Sequence, residues 1–271
     1  MNIKGKVAVI TGAAGGIGKA VALELARRDI GHLALVDKTD AVHGLSAEIN
    51  QQLGRTAATG YAGDVTEETF RSWVYQDLME KHGMVNICVP AAGITRDGLS
   101  VKTDKQTDSS IIYPVKTFRL VTEVNLIAPI YWALELVAAA ADYRRKAGLK
   151  RWEPSEDLLG TIILIGSVSS QGNKGQLSYS VAKAGLEAAA ATLTAEALYH
   201  GVRCNIIHPG FTDTPMVRAL GEDYINQYIL PQTQLRRLIH PDEIADAICF
   251  MISNSVVCGP LWADAGWRPA A

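Results

Sequence analysis

Four cysteines in 271 residues, Cys88, Cys204, Cys249 and Cys258, stand far apart and show none of the Cys-x-x-Cys or Cys-x-x-His spacings used by redox and metal sites. Reduced thiols in a cytoplasmic protein are the expectation. The six histidines, at 32, 43, 82, 200, 208 and 240, form no His-x-His or His-x-x-x-His pair, so no metal is expected. Charge of one sign is also lacking: 26 Lys plus Arg against 28 Asp plus Glu leave a net charge of −2, which offers no electrostatic reason to bind nucleic acid. No apolar run approaches the ~20 residues of a bilayer span, and the stretch from Ala133 to Ala141 is interrupted by Glu135. The opening MNIKGKVAVITG has neither a long apolar h-region nor a small-residue cleavage site, so no export signal is read there. With polyanions and membranes set aside, the expected partner is a small molecule.

What is present is the material of a large core. The chain is 48% hydrophobic and 20% charged, with 24 Gly and 10 Pro, a globular composition. Its length exceeds the usual domain, but folds built on one large sheet reach it. No linker or repeat divides the sequence, so a single domain over residues 1–271 is expected. Strand-like runs recur at Val7 to Thr11, Leu33 to Asp37, Thr59 to Val65, Val85 to Val89, Thr161 to Ile165, Val202 to Ile207 and Pro260 to Asp264, with amphipathic stretches between them. Continuous apolar runs suit strands buried on both faces, which predicts an α/β doubly wound parallel sheet with helices on both sides. Ile17, Val21 and Leu25, four apart, mark the buried stripe of the first crossover helix. Two polar stretches, Ser100 to Val115 and Tyr143 to Leu159, break the alternation and read as exposed loops.

The first strand runs directly into Thr11-Gly12-Ala13-Ala14-Gly15-Gly16-Ile17-Gly18 and then into a helix. A strand-to-helix turn leaves the first helical N–H groups unpaired, the helix dipole favours an anion there, and glycine lets a pyrophosphate approach the backbone. Gly12, Gly16 and Gly18, with Gly15 and Ile17 between them, are assigned to this dinucleotide site of a Rossmann-like domain. Nineteen residues past Gly18, the second strand ends in Asp37. A carboxylate at this distance accepts the adenosine ribose hydroxyls and repels a 2′-phosphate, favouring NAD over NADP. Lys38 adjoins it and could soften that choice.

Tyr179 and Lys183 lie four apart at the start of a long helical stretch, with Ser167 twelve residues before the tyrosine at the end of a strand. Spacing of four puts ammonium and phenol on one helical face. A phenol of pKa near 10 needs roughly 4 kcal/mol of differential stabilisation to fall by about three units, and Lys183 with a cationic nicotinamide ring are suitable sources.

Together, TGxxxGIG, Asp37, Gly63-Asp64-Val65, Ser167, Tyr179-x-x-x-Lys183 and His208-Pro209-Gly210 resemble the short-chain dehydrogenase/reductase family in its NAD-using branch, over essentially the whole chain and in the right order. The resemblance implies that Tyr179 is the catalytic acid/base, Ser167 hydrogen-bonds the reacting oxygen, and Lys183 tunes the tyrosine and holds the nicotinamide ribose. It implies that Asn125 holds a water in the proton relay. Asp64 and Val65 match positions beside the adenine, Ala92 and Gly93 keep close backbone approach to the cofactor, and Pro209, Gly210 and Thr212 to Thr214 match the segment along the nicotinamide.

The family's Asn-Asn-Ala-Gly appears here as Pro90-Ala91-Ala92-Gly93, which removes the two asparagines that tie neighbouring strands. Segment lengths around Asn125 resemble NAD-linked 3-hydroxyacyl-CoA dehydrogenases, and Ala92-Gly-Ile-Thr-Arg-Asp-Gly98 resembles 3-oxoacyl reductases. The expected activity is interconversion of a secondary alcohol and a ketone with NAD(H). A dehydrogenase of a cyclic alcohol (steroid, polyol or dihydrodiol) and a non-catalytic dinucleotide-sensing or scaffold protein are the alternatives. Met216, Leu220, Tyr224 and Tyr228 recur at helical spacing, as a core-facing stripe or a substrate lid. The apolar run Gly259 to Trp267 reads as an edge strand that a homodimer or homotetramer would cover.

Overall fold

The computed structural model describes residues 1–267. The chain alternates strand and helix from its start: β1 (Val7–Thr11), α1 (Gly16–Arg27), β2 (His32–Asp37), α2 (Ala41–Leu53), β3 (Ala58–Ala62), α3 (Glu68–His82) and β4 (Ile87–Pro90). After a short pair, β5 (Val101–Thr103) and β6 (Ser110–Ile112), come α4 (Val115–Thr122), a π turn (Glu123–Ile127) and α5 (Ala128–Lys146). The remainder is β7 (Gly160–Ile165), α6 (Leu177–Ala197), β8 (Val202–Pro209), the short α7 (Pro215–Arg218) and α8 (Glu222–Tyr224), α9 (Pro241–Ser253) and β9 (Gly259–Ala263).

Seven strands pair in parallel in the order β3-β2-β1-β4-β7-β8-β9. Every residue of β1, β7 and β8 is buried, which is why β1 and β7 read as nearly continuous apolar runs, while β8 buries Arg203, Asn205 and His208 among its apolar residues. One face packs Leu25, Ile49 and Ile248 of α1, α2 and α9; the other packs Leu78, Trp132, Leu136 and Leu186 of α3, α5 and α6. Strand order reverses between β1 and β4, so the loops leaving their C-terminal ends diverge and open a crevice between them.

The polar stretch at 100–115 is not a loop throughout. Val101–Thr103 and Ser110–Ile112 form an antiparallel hairpin with Val101 opposite Ile112, and Val115 opens α4. Alternation over three residues is too short to signal a strand. The 143–159 stretch is corrected more strongly: α5 continues to Lys146, and Arg144 is buried, its guanidinium paired with Glu156 and its Nε donating to the Lys150 carbonyl at 2.8 Å. A basic run had suggested solvent, but an acid twelve residues away folds back to meet one of its members. β3 ends at Ala62, three residues earlier than expected, because the chain turns at Asp64, whose carboxylate accepts the Thr66 amide. β9 is the sheet edge, as expected from the sequence.

Val115 to Lys146 is one continuous 32-residue helical stretch, long and apolar enough by length and composition to cross a membrane. It lies along the sheet instead, with Val121, Trp132, Leu136 and Ala140 in the core. Counting uninterrupted apolar residues missed it because Glu123 and Glu135 interrupt the run, the first in the wall of the crevice and the second paired with Arg71 and Ser72 of α3.

Candidate functional site

Two chambers meet at Tyr179. The larger, a cleft of about 580 Å³, follows the crevice over β1 and β4 and is lined by Gly12, Gly15, Gly16, Ile17, Gly18, Asp37, Asp64, Val65, Ala92, Gly93, Tyr179, Lys183 and Thr214. These are thirteen of the positions expected to face a dinucleotide. Gly12 has a left-handed φ of 68°, and a Cβ there would sit 2.8 Å from the Ala92 backbone. That close approach of two loops is what the small residues at 91–93 permit. The N-terminus of α1 has no acid in its first turn and no side-chain cap at Gly15. Its first N–H groups therefore face the cleft with the positive end of the dipole behind them, as a pyrophosphate requires.

At the far end of the cleft, Asp37 accepts the Ala14 amide on Oδ2 (3.1 Å) and the Thr39 amide on Oδ1 (3.1 Å). These contacts hold the carboxylate against the glycine turn. Lys38 lines the same cleft, its Nζ 3.5 Å from Asp64. The Asp64 carboxyl sits below the usual range, first because the Thr66 amide donates to it, with further help from the Thr66 hydroxyl and Lys38. Three features thus fit a nicotinamide dinucleotide: the bare helix terminus, the small-residue cradle and a carboxylate at the ribose distance.

The smaller chamber, about 90 Å³, lies on the other side of Tyr179. Ser167, Tyr179 and Gly210 line it together with Thr95, Asp97, Ser169 and Gln176 on one wall and Phe211, Met216, Val217 and Leu220 on the other. Met216, Leu220, Tyr224 and Tyr228 are all at least a third exposed. The stripe is therefore not core-facing; its first two members roof the cavity.

Ser167 is held at the end of β7 with its hydroxyl accepting the Ser169 amide (3.1 Å), leaving its proton available to the cavity. Burial pushes the Tyr179 phenol up to about 12, with the Ser167 hydroxyl pulling it down and the Asp97 charge adding to the rise. Lys183 is buried, and burial lowers its ammonium to about 8. Its Nζ donates to the Ile165 carbonyl at 2.7 Å and lies 5.5 Å from the centre of the Tyr179 ring. The expected face-sharing of the pair is present, without a direct bond between ammonium and phenol.

Gly210, expected along the nicotinamide, lines the smaller chamber instead, and three expected positions fall outside both. Thr212 is buried, donates to the Gly210 carbonyl and bridges Ile239, outside both chambers. Pro209 ends β8 in the core. Asn125 is fully buried in the π turn, its Nδ2 donating to Ile94 and Val121 carbonyls (2.9 Å each) and its Oδ1 accepting the Ile94 amide (3.1 Å). Both of its amide hydrogens are thereby spent on backbone, so the side chain clamps the loop after β4 rather than facing the cavity. With the Thr11 hydroxyl accepting the Ala92 amide and Asn86 bonding Val7 and Leu159, it supplies ties that the Pro90-Ala91-Ala92-Gly93 departure had removed. The polar wall of Asp97, Ser169 and Gln176 was missed. Its only sequence signal is position, near Gly93, Ser167 and Tyr179.

Comparison with known proteins agrees with this fold. The family profile described as enoyl-(acyl carrier protein) reductase, of the short-chain dehydrogenase group, matches residues 12–267. The 3-oxoacyl-(acyl-carrier-protein) reductase of Escherichia coli (strain K12) is 33% identical over 255 residues, covering 94% of this chain and 92% of that one. Its namesake from Pseudomonas aeruginosa is 34% identical over 257 residues, with 94% and 92% covered. A short-chain dehydrogenase/reductase from Mycobacterium marinum superposes with a TM-score of 0.82 at 24% identity, covering 98% of this chain and 97% of that one. An NADPH-dependent 3-quinuclidinone reductase from Rhodotorula rubra follows at 0.81 and 23%, with 98% and 92% covered; these two speak to fold alone. The chain belongs to the short-chain dehydrogenase/reductase family, whose members are oxidoreductases that bind a nicotinamide dinucleotide.

Proposed function

We propose that this protein is an NAD(H)-dependent oxidoreductase that interconverts a secondary alcohol and a ketone, with Ser167, Tyr179 and Lys183 as its catalytic set. The observation that carries the reading is the meeting of the two chambers at the Tyr179 phenol, with the Ser167 hydroxyl in the same wall. When bound, the cofactor supplies or accepts the hydride at the carbinol carbon. In reduction, Tyr179 gives its proton to the substrate oxygen while Ser167 donates a hydrogen bond to that oxygen, and solvent restores the phenol. A phenol near 12 is protonated at neutral pH, which suits it as the donor. To act as base in alcohol oxidation it needs the nearby positive charge of Lys183 and of an oxidised nicotinamide. Gly12, Gly15, Gly16, Ile17 and Gly18 would cradle the pyrophosphate, Asp37 the adenosine ribose, Asp64 and Val65 the adenine, and Ala92, Gly93, Lys183 and Thr214 the nicotinamide half. Asn125 serves by holding the loop that carries Ala92 and Gly93.

NAD is the preferred cofactor on this reading, because Asp37 is pinned against the glycine turn and Lys38 leans toward Asp64. A 3-oxoacyl or 3-hydroxyacyl compound suits a cavity with an apolar roof of Phe211, Met216, Val217 and Leu220, and the reductases to which the chain is similar act, by name, on such a group. The opposite polar wall favours a second reading, a cyclic polyol-like alcohol. The exposed edge strand β9 and the exposed Leu120, Tyr131 and Leu134 of α4 and α5 support a homodimer or homotetramer, and four free thiols support a reducing, cytoplasmic setting.

The test is consumption of NADH and NADPH by the purified protein with a 3-oxoacyl thioester and with a panel of cyclic ketones. Oxidation of NADH with the thioester is expected. Cofactor binding without consumption of either cofactor by any ketone would overturn the enzymatic reading in favour of a dinucleotide sensor.

A further inference from the structure

Behind Ser167, on the side away from the cavity, lies a buried histidine that the chemistry above does not use. His208, near the end of β8, is fully buried, and its ring stacks on Trp262 of β9 with centroids 4.2 Å apart and planes 13° from parallel. On its other side is Gly166, where a Cβ would stand 2.5 Å from Nδ1 and 2.7 Å from Cε1 of the ring. The imidazole is clamped, and only glycine leaves room for it.

Its two nitrogens face different partners. Nδ1 lies 3.3 Å from the Ser167 amide nitrogen and 3.2 Å from the Ser167 carbonyl oxygen. Nε2 is buried, has no hydrogen-bond partner among the described residues, and faces the Glu187 carboxylate at 3.8 Å. Glu187 and Lys183 are the charged groups that α6 presents to the ring; Trp262 and the Ser167 backbone complete its surroundings. Tyr179, Lys183 and Glu187 follow one another at four-residue intervals on α6, so a single helical face addresses the phenol, the ammonium and the histidine. Burial holds the imidazole below its usual pKa against the opposing pull of the Ser167 carbonyl and Glu187. A neutral ring beside a carboxylate favours its proton on Nε2, directed at Glu187, and this tautomer leaves Nδ1 to accept the Ser167 N–H.

We propose that His208 is a positioning residue for Ser167: through Nδ1 it fixes the Ser167 backbone, and through Nε2 it is held in the required tautomer by Glu187. The Ser167 hydroxyl already spends one lone pair on the Ser169 amide. With the backbone fixed from behind, the hydroxyl proton has one direction left, toward the cavity. This inference rests on the reading of Ser167 as the group that hydrogen-bonds the reacting oxygen.

Two variants separate it from a merely structural role. His208→Asn keeps a polar atom close to the place of Nδ1, whereas His208→Leu fills similar space without one. His208→Leu is expected to lose the exchange protection of the Ser167 amide, measured by hydrogen exchange on the peptide spanning 161–170, and His208→Asn to retain it. Turnover should follow: kcat at least ~10-fold lower in the leucine variant and within about 3-fold of wild type in the asparagine variant, the size of one hydrogen bond, with NADH affinity unchanged in both. Glu187→Gln should lower kcat by about 3-fold with the fold intact. Equal exchange protection in the leucine variant and wild type would overturn the proposal whether or not a substrate is in hand. If Ser167→Ala is inactive but His208→Leu turns over as wild type, only the present inference fails; if Ser167→Ala is fully active, the reading of the site fails with it.

Discussion

The two chambers on either side of Tyr179 are built by opposite means. The cofactor cleft is mostly backbone: a glycine turn, a helix terminus and two loops pressed close enough that a single Cβ at Gly12 would collide with Ala92. The substrate cavity is mostly side chain, assembled from the loop after β4, the turn after β7, the start of α6 and the segment around α7. Backbone cradles tolerate little substitution and bind a constant ligand; side-chain walls can be exchanged one at a time.

The sharpest way to break this comparison is at the shared wall. Tyr179→Phe removes only an oxygen, so kcat should fall by at least ~10² while NADH affinity changes little; substantial residual turnover in steady-state assays would remove the phenol from the mechanism. Lys183→Ala is expected to abolish activity and also weaken NADH binding, read by titration of cofactor fluorescence. Unchanged affinity would confine the lysine to the phenol's side.

At the adenosine end, kcat/KM with NADH should exceed that with NADPH by about 10², a gap of roughly 2.7 kcal/mol, because a 2′-phosphate would meet Asp37. Asp37→Ser should narrow the gap chiefly by admitting NADPH. Equal use of both cofactors by the wild type would show that Lys38 turns from Asp64 to the 2′-phosphate.

On the cavity side, effects should be smaller and confined to substrate. Val217→Ala or Leu220→Ala removes part of the apolar roof, at about 1 kcal/mol of lost contact, and should raise KM for an acyl substrate by roughly 5-fold. A matching loss of NADH affinity would mean that the roof belongs to the cleft.

Acidity and alkalinity should act on different regions. Lys183, lowered to about 8 by burial, loses its charge as pH rises through that value, so ketone reduction should decline above about pH 8. Stability should respond at the acid end through His32, buried at the start of β2 and stacked on His82. Burial lowers His32 from 6.5 to about 4, with the charges of His82 and Lys81 adding to it. A depressed histidine stabilises the fold fully above its unfolded pKa, and that contribution is lost as pH falls from 6.5 toward 4, by up to about 3 kcal/mol. Thermal unfolding across that window should show a falling midpoint, and His32→Asn should flatten the slope.

Much of the architecture was legible because it depends on short-range rules. Short continuous apolar runs separated by helical stretches suit strands buried on both faces, and the glycine turn gains its meaning from lying between β1 and α1. Tyr179 and Lys183 could be paired from their spacing, since a helix places residues four apart on one face. The hairpin at 101–112 and the burial of Arg144 were not legible. The first is too short for periodicity to show, and the second depends on Glu156 returning from beyond the end of α5.

The sequence by itself determined the alternation of the seven sheet strands with their helices and the glycine turn proposed as the cofactor cradle, because each is written in neighbours or in a fixed helical or strand period; the residues proposed for the reacting centre were read from the family resemblance. Only the tertiary structure decided that Asn125 spends its amide hydrogens on backbone, that Thr212 stands outside both chambers, that Met216 and Leu220 roof a cavity, and that His208 sits behind Ser167 between Gly166 and Trp262. Those facts join segments far apart along the chain, and which of them meet is set by packing across the sheet rather than by any local pattern.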